Sequence, residues 1–185
     1  MATTLPNKDW HARPTLWTPK DNNLVGANFH PRHVVTSAAA LVGYHHMSKI
    51  KIPANEIVSN ILFYVGAAGV TVANFYGAVY DDAGNRIGIT AAKSTELQVA
   101  GPKAFALTTP IPAVNYDRVV HGCFTLGSAG TAPTLGISSS VPIGNTGVAL
   151  AKDLNSGVIA VAGPPAATAN YALLLDFYDY WMGLS

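Results

Sequence analysis

"AVYDDAGNRIGIT", residues 78–90, decides how this chain is read. Val79 and Tyr80 lead in, Asp81-Asp82-Ala83-Gly84-Asn85 reverse the direction, and Ile87 and Ile89 lead out. Alternating apolar segments on either side of turn-forming residues are the pattern of a β-hairpin. The competing reading is a cation loop. An EF-hand needs oxygen ligands at alternating positions, glycine at the sixth and a bidentate Glu at the twelfth. Counted from Asp81, those positions hold Arg86 and Ala92, so the pattern fails. Asp and Asn accept local hydrogen bonds in turns, and Gly84 supplies a positive φ without steric cost. The acidic corner reads as structural, and the chain on both sides of it as strand.

Working outward, the same period of two continues. "VTVANFYGAVY" (70–80) sets Phe75, Gly77 and Val79 on one face and Tyr76, Ala78 and Tyr80 on the other. "EIVSNILFYVG" (56–66) is almost continuously apolar, as a strand buried on both faces would be. "HHMSKIKIP" (45–53) alternates Met47, Lys49 and Lys51 against Ser48, Ile50 and Ile52, and Pro53 ends it. "KAFALTTPIP" (103–112) and "DRVVHGCFTLG" (117–127) are further strands, and "APTLGISSS" (132–140) and "GVIAVA" (157–162) are shorter ones. "ANYALLLDFYDYWMGL" (169–184) alternates Leu173, Leu175, Phe177 and Trp181 with Leu174, Asp176, Tyr178 and Tyr180. "VVTSAAALVGY" (34–44) fits a helical turn or a strand equally, and the small residues of 127–157 suggest long loops. Many short strands punctuated by Gly, Pro, Ser and Asn predict an all-β fold. The expected architecture is an antiparallel β-sandwich, jelly-roll-like, over residues 44–185.

Residues 1–43 differ. Pro6, Pro14, Pro19 and Pro31 break any period, since proline fixes φ and removes a donor. Trp10, Trp17 and Phe29 are costly to leave in water, and disordered tails carry few aromatics. The stretch is expected to be an extended N-terminal arm lying on its own body, a sister subunit or a larger assembly.

Length and composition bound the function. A chain of 185 residues suits one domain with an arm. Charged residues are 11% of it, against roughly 25% in ordinary domains. Lys+Arg (11) and Asp+Glu (10) balance, which argues against nucleic acid as a partner. So few charges favour association, so much of the surface is expected to meet other subunits. The single cysteine, Cys123, excludes an intrachain disulfide. No run of about 18 apolar residues predicts a membrane-spanning helix. The N-terminal "MATTLPNKDWHARP" lacks the apolar core of a signal peptide, so synthesis and folding in a cytoplasm are expected.

Candidate chemistry is sparse. His121 and Cys123, two apart on a strand, share a face, but nothing marks a third orienting group. They read as a buried thiol beside a hydrogen-bonded imidazole. His45 and His46 point to opposite faces and cannot chelate one metal together. His30 and His33 flank Pro31, against a shared helical face. Histidines from three subunits could meet at an axis and bind a metal, a geometry one sequence does not display. Asp176 and Asp179 face oppositely on a strand and form no glycosidase pair. No phosphate-loop, dinucleotide, serine-hydrolase or zinc-protease motif occurs. No catalytic, cofactor-binding or metal residue is therefore assigned. The residues expected to carry interactions are Trp10, Trp17, Phe29, Tyr178 and Tyr180, because exposed aromatics mark contact surfaces.

The order of three segments resembles a β-sandwich module of tail and virion-surface proteins of tailed bacteriophages that infect actinobacteria. The segments are the hairpin Gly77 to Asn85, the "LTTP" strand Leu107 to Pro110, and the strand leading into Pro133 to Leu135. Ala78-Val79 stand where the module has one residue. The similarity spans roughly residues 50–140 and concerns turns and strands, with no catalytic signature. It implies a non-enzymatic structural protein on a tailed-phage virion, made in the host cytoplasm and docked by its N-terminal arm. Within that implication a minor tail or fibre component is favoured, and a capsid decoration protein is the alternative. A carbohydrate-binding, receptor-recognising module that uses exposed Tyr and Trp is the second class. An enzyme such as a glycan hydrolase is disfavoured because no acid–base pair is legible. The expected partners are further copies of the chain, other virion proteins and a host surface glycan. A homotrimer is suggested by analogy with phage appendages. No cofactor is expected.

Overall fold

A computed structural model describes residues 24–29, 34–138, 157–160, 163–170 and 177–185. Trp10, Trp17, His30, His33 and Asp176 lie outside them. The described strands are β1 (Gly26–Ala27), β2 (Thr36–Ala39), β3 (Tyr44–Ile52), β4 (Val58–Ala67), β5 (Ala73–Asp81), β6 (Arg86–Ile89), β7 (Gly101–Ile111), β8 (Arg118–Ser128), β9 (Thr134–Ile137), β10 (Gly157–Ala160) and β11 (Met182–Leu184). A single 3-10 turn, Thr95–Gln98, interrupts them.

Four antiparallel ladders nest inside one another: β5 with β6, β4 with β7, β3 with β8, and β2 with β9. Two further pairings, β5 with β8 and β4 with β9, fold this ribbon onto itself. The result is two sheets. One holds β2, β9, β4 and β7, with β11 and β1 beside β4; the other runs β10-β3-β8-β5-β6. This is the jelly roll, two Greek keys wrapped into a sandwich. The all-β antiparallel sandwich expected from the sequence is what the chain forms.

The interlayer core follows the alternation read from the sequence. Phe75 and Val79 of β5 point inward with Ile61, Phe63 and Val65 of β4 and Phe124 of β8. Phe63 sits edge-on to Phe75 and to Phe124, at 5.4 and 5.7 Å between ring centroids. Gly77 has no room for a side chain, because a Cβ there would lie 2.5 Å from Ile61. The glycine lets β4 and β5 approach across the core.

Each outer face also carries an apolar cluster. Leu62 of β4 is buried against Leu24 and Trp181 outside the first sheet. Met47, Ala78, Tyr80 and Cys123 form a buried patch outside the second. Residues 163–170 cover that patch: Tyr80 donates to the Ala166 carbonyl at 2.8 Å, and Ala169 packs on it. The chain covers both clusters itself, the first by widening the sheet and the second by an overlying segment.

Two expectations change. Residues 34–44 contain strand β2, paired with β9 from Thr36↔Ile137 to Ala39↔Thr134. Residues 26–27 pair with β11. Hence β1 and β2 belong to the first sheet while Val42 bridges Leu126 of the second, so the sandwich takes in residues on the arm side of residue 43; residues 1–23 and 30–33 lie outside the described residues. Proline spacing marked the stretch as extended, which is also the conformation of a strand.

The acidic corner behaves as a turn. The Gly84 amide donates to the Asp81 carbonyl at 3.0 Å, and Gly84 has φ +87°. Both Asp81 carboxylate oxygens are engaged by Asn85, one by its amide at 2.8 Å and one by its side chain at 3.1 Å. Gly84→Val should therefore cost about 1–3 kcal/mol in urea unfolding. Calcium should leave the midpoint of wild type and variant unchanged; a calcium-dependent rise would restore the cation reading.

Candidate interaction surface

The two ends of the described chain meet at the β1–β11 side of the first sheet. Val25 donates to the Leu184 carbonyl at 2.8 Å, and Asn28 to that of Met182 at 3.2 Å. The Asn28 side chain extends the ladder. Its Oδ1 accepts from the Met182 amide at 2.9 Å. Its Nδ2 faces the Tyr180 carbonyl (2.7 Å), Asp179 Oδ1 (2.8 Å) and Ser48 Oγ (3.1 Å). Ser48 occupies a core-facing place on β3 and is fully buried. It donates to Asp179 Oδ1 at 3.0 Å, so its hydroxyl is not left bare. One asparagine thus ties β1, β11 and the opposite sheet together.

Beside this knot lies an aromatic box. His46 stacks on Phe124 at 4.3 Å and 10° and meets Tyr180 edge-on at 5.0 Å. Its Nε2 accepts from the Leu41 amide at 3.2 Å, which requires a lone pair there. Burial drives its pKa down to about 3. Burial, aided by the Lys49 charge, takes His121 down to about 4, and burial also lowers His45.

The residues singled out from the sequence are distributed unevenly. Phe29 is half-buried against the Leu24–Leu62–Trp181 cluster, and its carbonyl accepts the Trp181 indole N–H at 3.1 Å. Tyr178 is half-buried on the core beside Phe177. Tyr180 is only 1% exposed, and its hydroxyl donates to the Ala39 carbonyl at 2.7 Å. Tyr180 is therefore a core residue of this chain and offers no face to a partner. Trp181 takes the outward side and is covered by Leu24 and Phe29. The alternation expected over this segment holds only for Tyr180 against Trp181: residues 177–179 are not strand, and Phe177, Tyr178 and Tyr180 all pack on the same core. His121 and Cys123 share the outer face of the second sheet. Burial pushes the Cys123 thiol up, so it stays protonated near neutral pH and is not an activated nucleophile. Among the described residues, no three His, Cys, Asp or Glu side chains converge on a common point.

A feature the sequence did not announce lies beside β2. A shallow groove of about 290 Å³ is lined by Val34, Val35, Thr36, Ser37, Tyr64 and Gly66. Val35 is 68% exposed. β2 ends its sheet, so among the described residues its far edge has no partner strand. Such an edge with an apolar wall can accept an extended segment. Residues 34–39 carry too weak an alternation to predict it. No family model matches the chain, and no curated protein matches it.

Two outcomes follow from this geometry. Asn28→Ala leaves the Met182 amide and the Ser48–Asp179 pair under-satisfied and should cost about 1–3 kcal/mol by urea unfolding. Acid should destabilise the protein, because burial in the folded state favours the neutral forms of His46 and His121. With folded pKa values below the ordinary 6.5, their stabilising contribution is complete above about 6.5. It is lost as pH falls toward about 4 for His121 and about 3 for His46. His46→Phe should flatten that fall in a pH series of unfolding curves; an unchanged slope would remove His46 from the account.

Proposed function

We propose that this chain is a non-enzymatic structural component of the surface of a tailed-phage virion, a minor tail or fibre part docked through its N-terminal residues. The observation that carries the reading is the nested jelly-roll ladder. The resembling hairpin, Gly77 to Asn85, is the β5–β6 corner; Leu107 to Pro110 lies in β7, and Pro133 to Leu135 begins β9. All three lie within strands or corners of one architecture, so the resemblance concerns a continuous folding unit. Jelly rolls recur in viral capsid proteins and in lectins, so this support is an analogy of fold. The charge-poor composition adds support, since a protein that works inside an assembly exposes little of itself to water. The Trp- and Pro-bearing residues 1–23 are the docking segment in this reading.

The experiment is a truncation that spares β1. A chain beginning at residue 24 should unfold cooperatively like wild type and fail to enter phage particles, as measured by mass spectrometry of purified virions. Incorporation at the wild-type level would end the docking role of residues 1–23. Absence of the full-length chain from purified virions would end the virion reading itself.

A further inference from the structure

The two ends of the sandwich differ in charge. At one end sit the loops 40–43, 68–72, 90–100 and 129–133. Their only charged residues are Lys93 and Glu96, which pair with each other at 3.3 Å. At the other end, loops 53–57, 82–85 and 112–117 carry Glu56, Asp82 and Asp117, with Lys51, Arg86 and Arg118 beside them.

The uncharged end is a built platform. The Ala40 amide donates to the Pro133 carbonyl at 3.1 Å, joining the first loop to the last. Val70 and Thr131 form a bridge, with the Val70 amide donating to the Thr131 carbonyl at 2.9 Å and the Gly130 amide to the Val70 carbonyl at 2.9 Å. Gly69 donates to the Leu97 carbonyl at 3.0 Å, which brings in the remaining loop. From this stitched surface Val42, Val70 and Val99 project, 44%, 56% and 61% exposed. Behind Val70, Thr71 holds φ +48°, a left-handed conformation that costs a β-branched residue about 1–3 kcal/mol. Its hydroxyl accepts the Gly130 amide at 3.0 Å, which helps to hold the strained tip in place. The same turn seats Val72 in the core and leaves Val70 facing solvent.

We propose that further copies of this same chain meet through this end, with the Val70 tip near the symmetry axis. The choice of occupant rests on charge. In a symmetric contact each surface meets copies of itself, so an exposed charge near the axis faces its own like. A neutral surface with exposed valines escapes that repulsion and matches the charge-depleted centre of protein interfaces. A partner selected by electrostatics would instead meet the opposite end, where exposed Tyr116 stands among charges. Nothing in this inference depends on the virion reading.

Sedimentation of the full-length chain at micromolar concentrations tests it. Wild type should associate. Val70→Lys should raise the dissociation constant by more than about tenfold, because it sets like charges against each other at the axis. Val99→Lys serves as a second variant if the first unfolds, and Tyr116→Lys at the charged end should leave association unchanged. Val70→Cys adds an exposed thiol to a chain whose own Cys123 is buried, and oxidation should yield a cross-linked dimer. A monomeric wild type, an associated and folded Val70→Lys, or loss of association in Tyr116→Lys would each overturn the proposal.

Discussion

Each sheet of this jelly roll carries a large apolar cluster on its outer face, and the rest of the structure answers to that constraint. Leu62 on β4 and Met47, Tyr80 and Cys123 on the second sheet are apolar or buried-type residues turned away from the interlayer core. Left in water they would forfeit the hydrophobic stabilisation that a chain of this size depends on. The fold responds by widening one sheet and covering the other. Strands β1 and β11 extend the first sheet beside β4 and bring Leu24 and Trp181 onto Leu62, and residues 163–170 cover the second. Each cover is held by hydrogen bonds that its own backbone would otherwise lack. The Asn28 side chain serves the outer ladder, and the Arg86 amide donates to the Ala167 carbonyl at 2.8 Å.

The sandwich itself was legible because period-two alternation is a local property. Phe75, Gly77 and Val79 share an inward face as their spacing says, and Asp81 to Asn85 turn as their chemistry says. The covers were not legible, because their partners lie far away in sequence. Asn28 meets Asp179 and Met182 across most of the chain, and no pattern near residue 28 announces it. The same non-locality explains Tyr180. A segment with aromatics on both faces is ambiguous until something covers one of them. Here β9 bridges to Tyr180 and β4 pairs with Met182 to Leu184, which turns Tyr180 inward and Trp181 outward. Of the covers open to a segment near the N-terminus, its own body is the one that residues 24–29 take, with Leu24 and Phe29 on Trp181.

The low charge content therefore has a partly internal explanation. The strands added to the first sheet and the segment laid over the second consume apolar surface that a bare sandwich would expose. The remainder is distributed by position. The loop end around Val70 is nearly free of charge, while the end around Asp117 carries an ion pair, Lys51–Asp117 at 2.8 Å, on its surface. Among the described residues the two loop ends thus differ in charge.

The central claim is that the covering segments are integral to the fold and are not appendages laid on it. Native-state hydrogen exchange addresses it residue by residue. The amides of Val25 and Met182, bonded to Leu184 and to Asn28, should exchange only by the global unfolding that releases Leu62 in β4. Exchange of Val25 and Met182 through a smaller opening, with Leu62 still protected, would contradict the account and return residues 24–29 to the status of an arm.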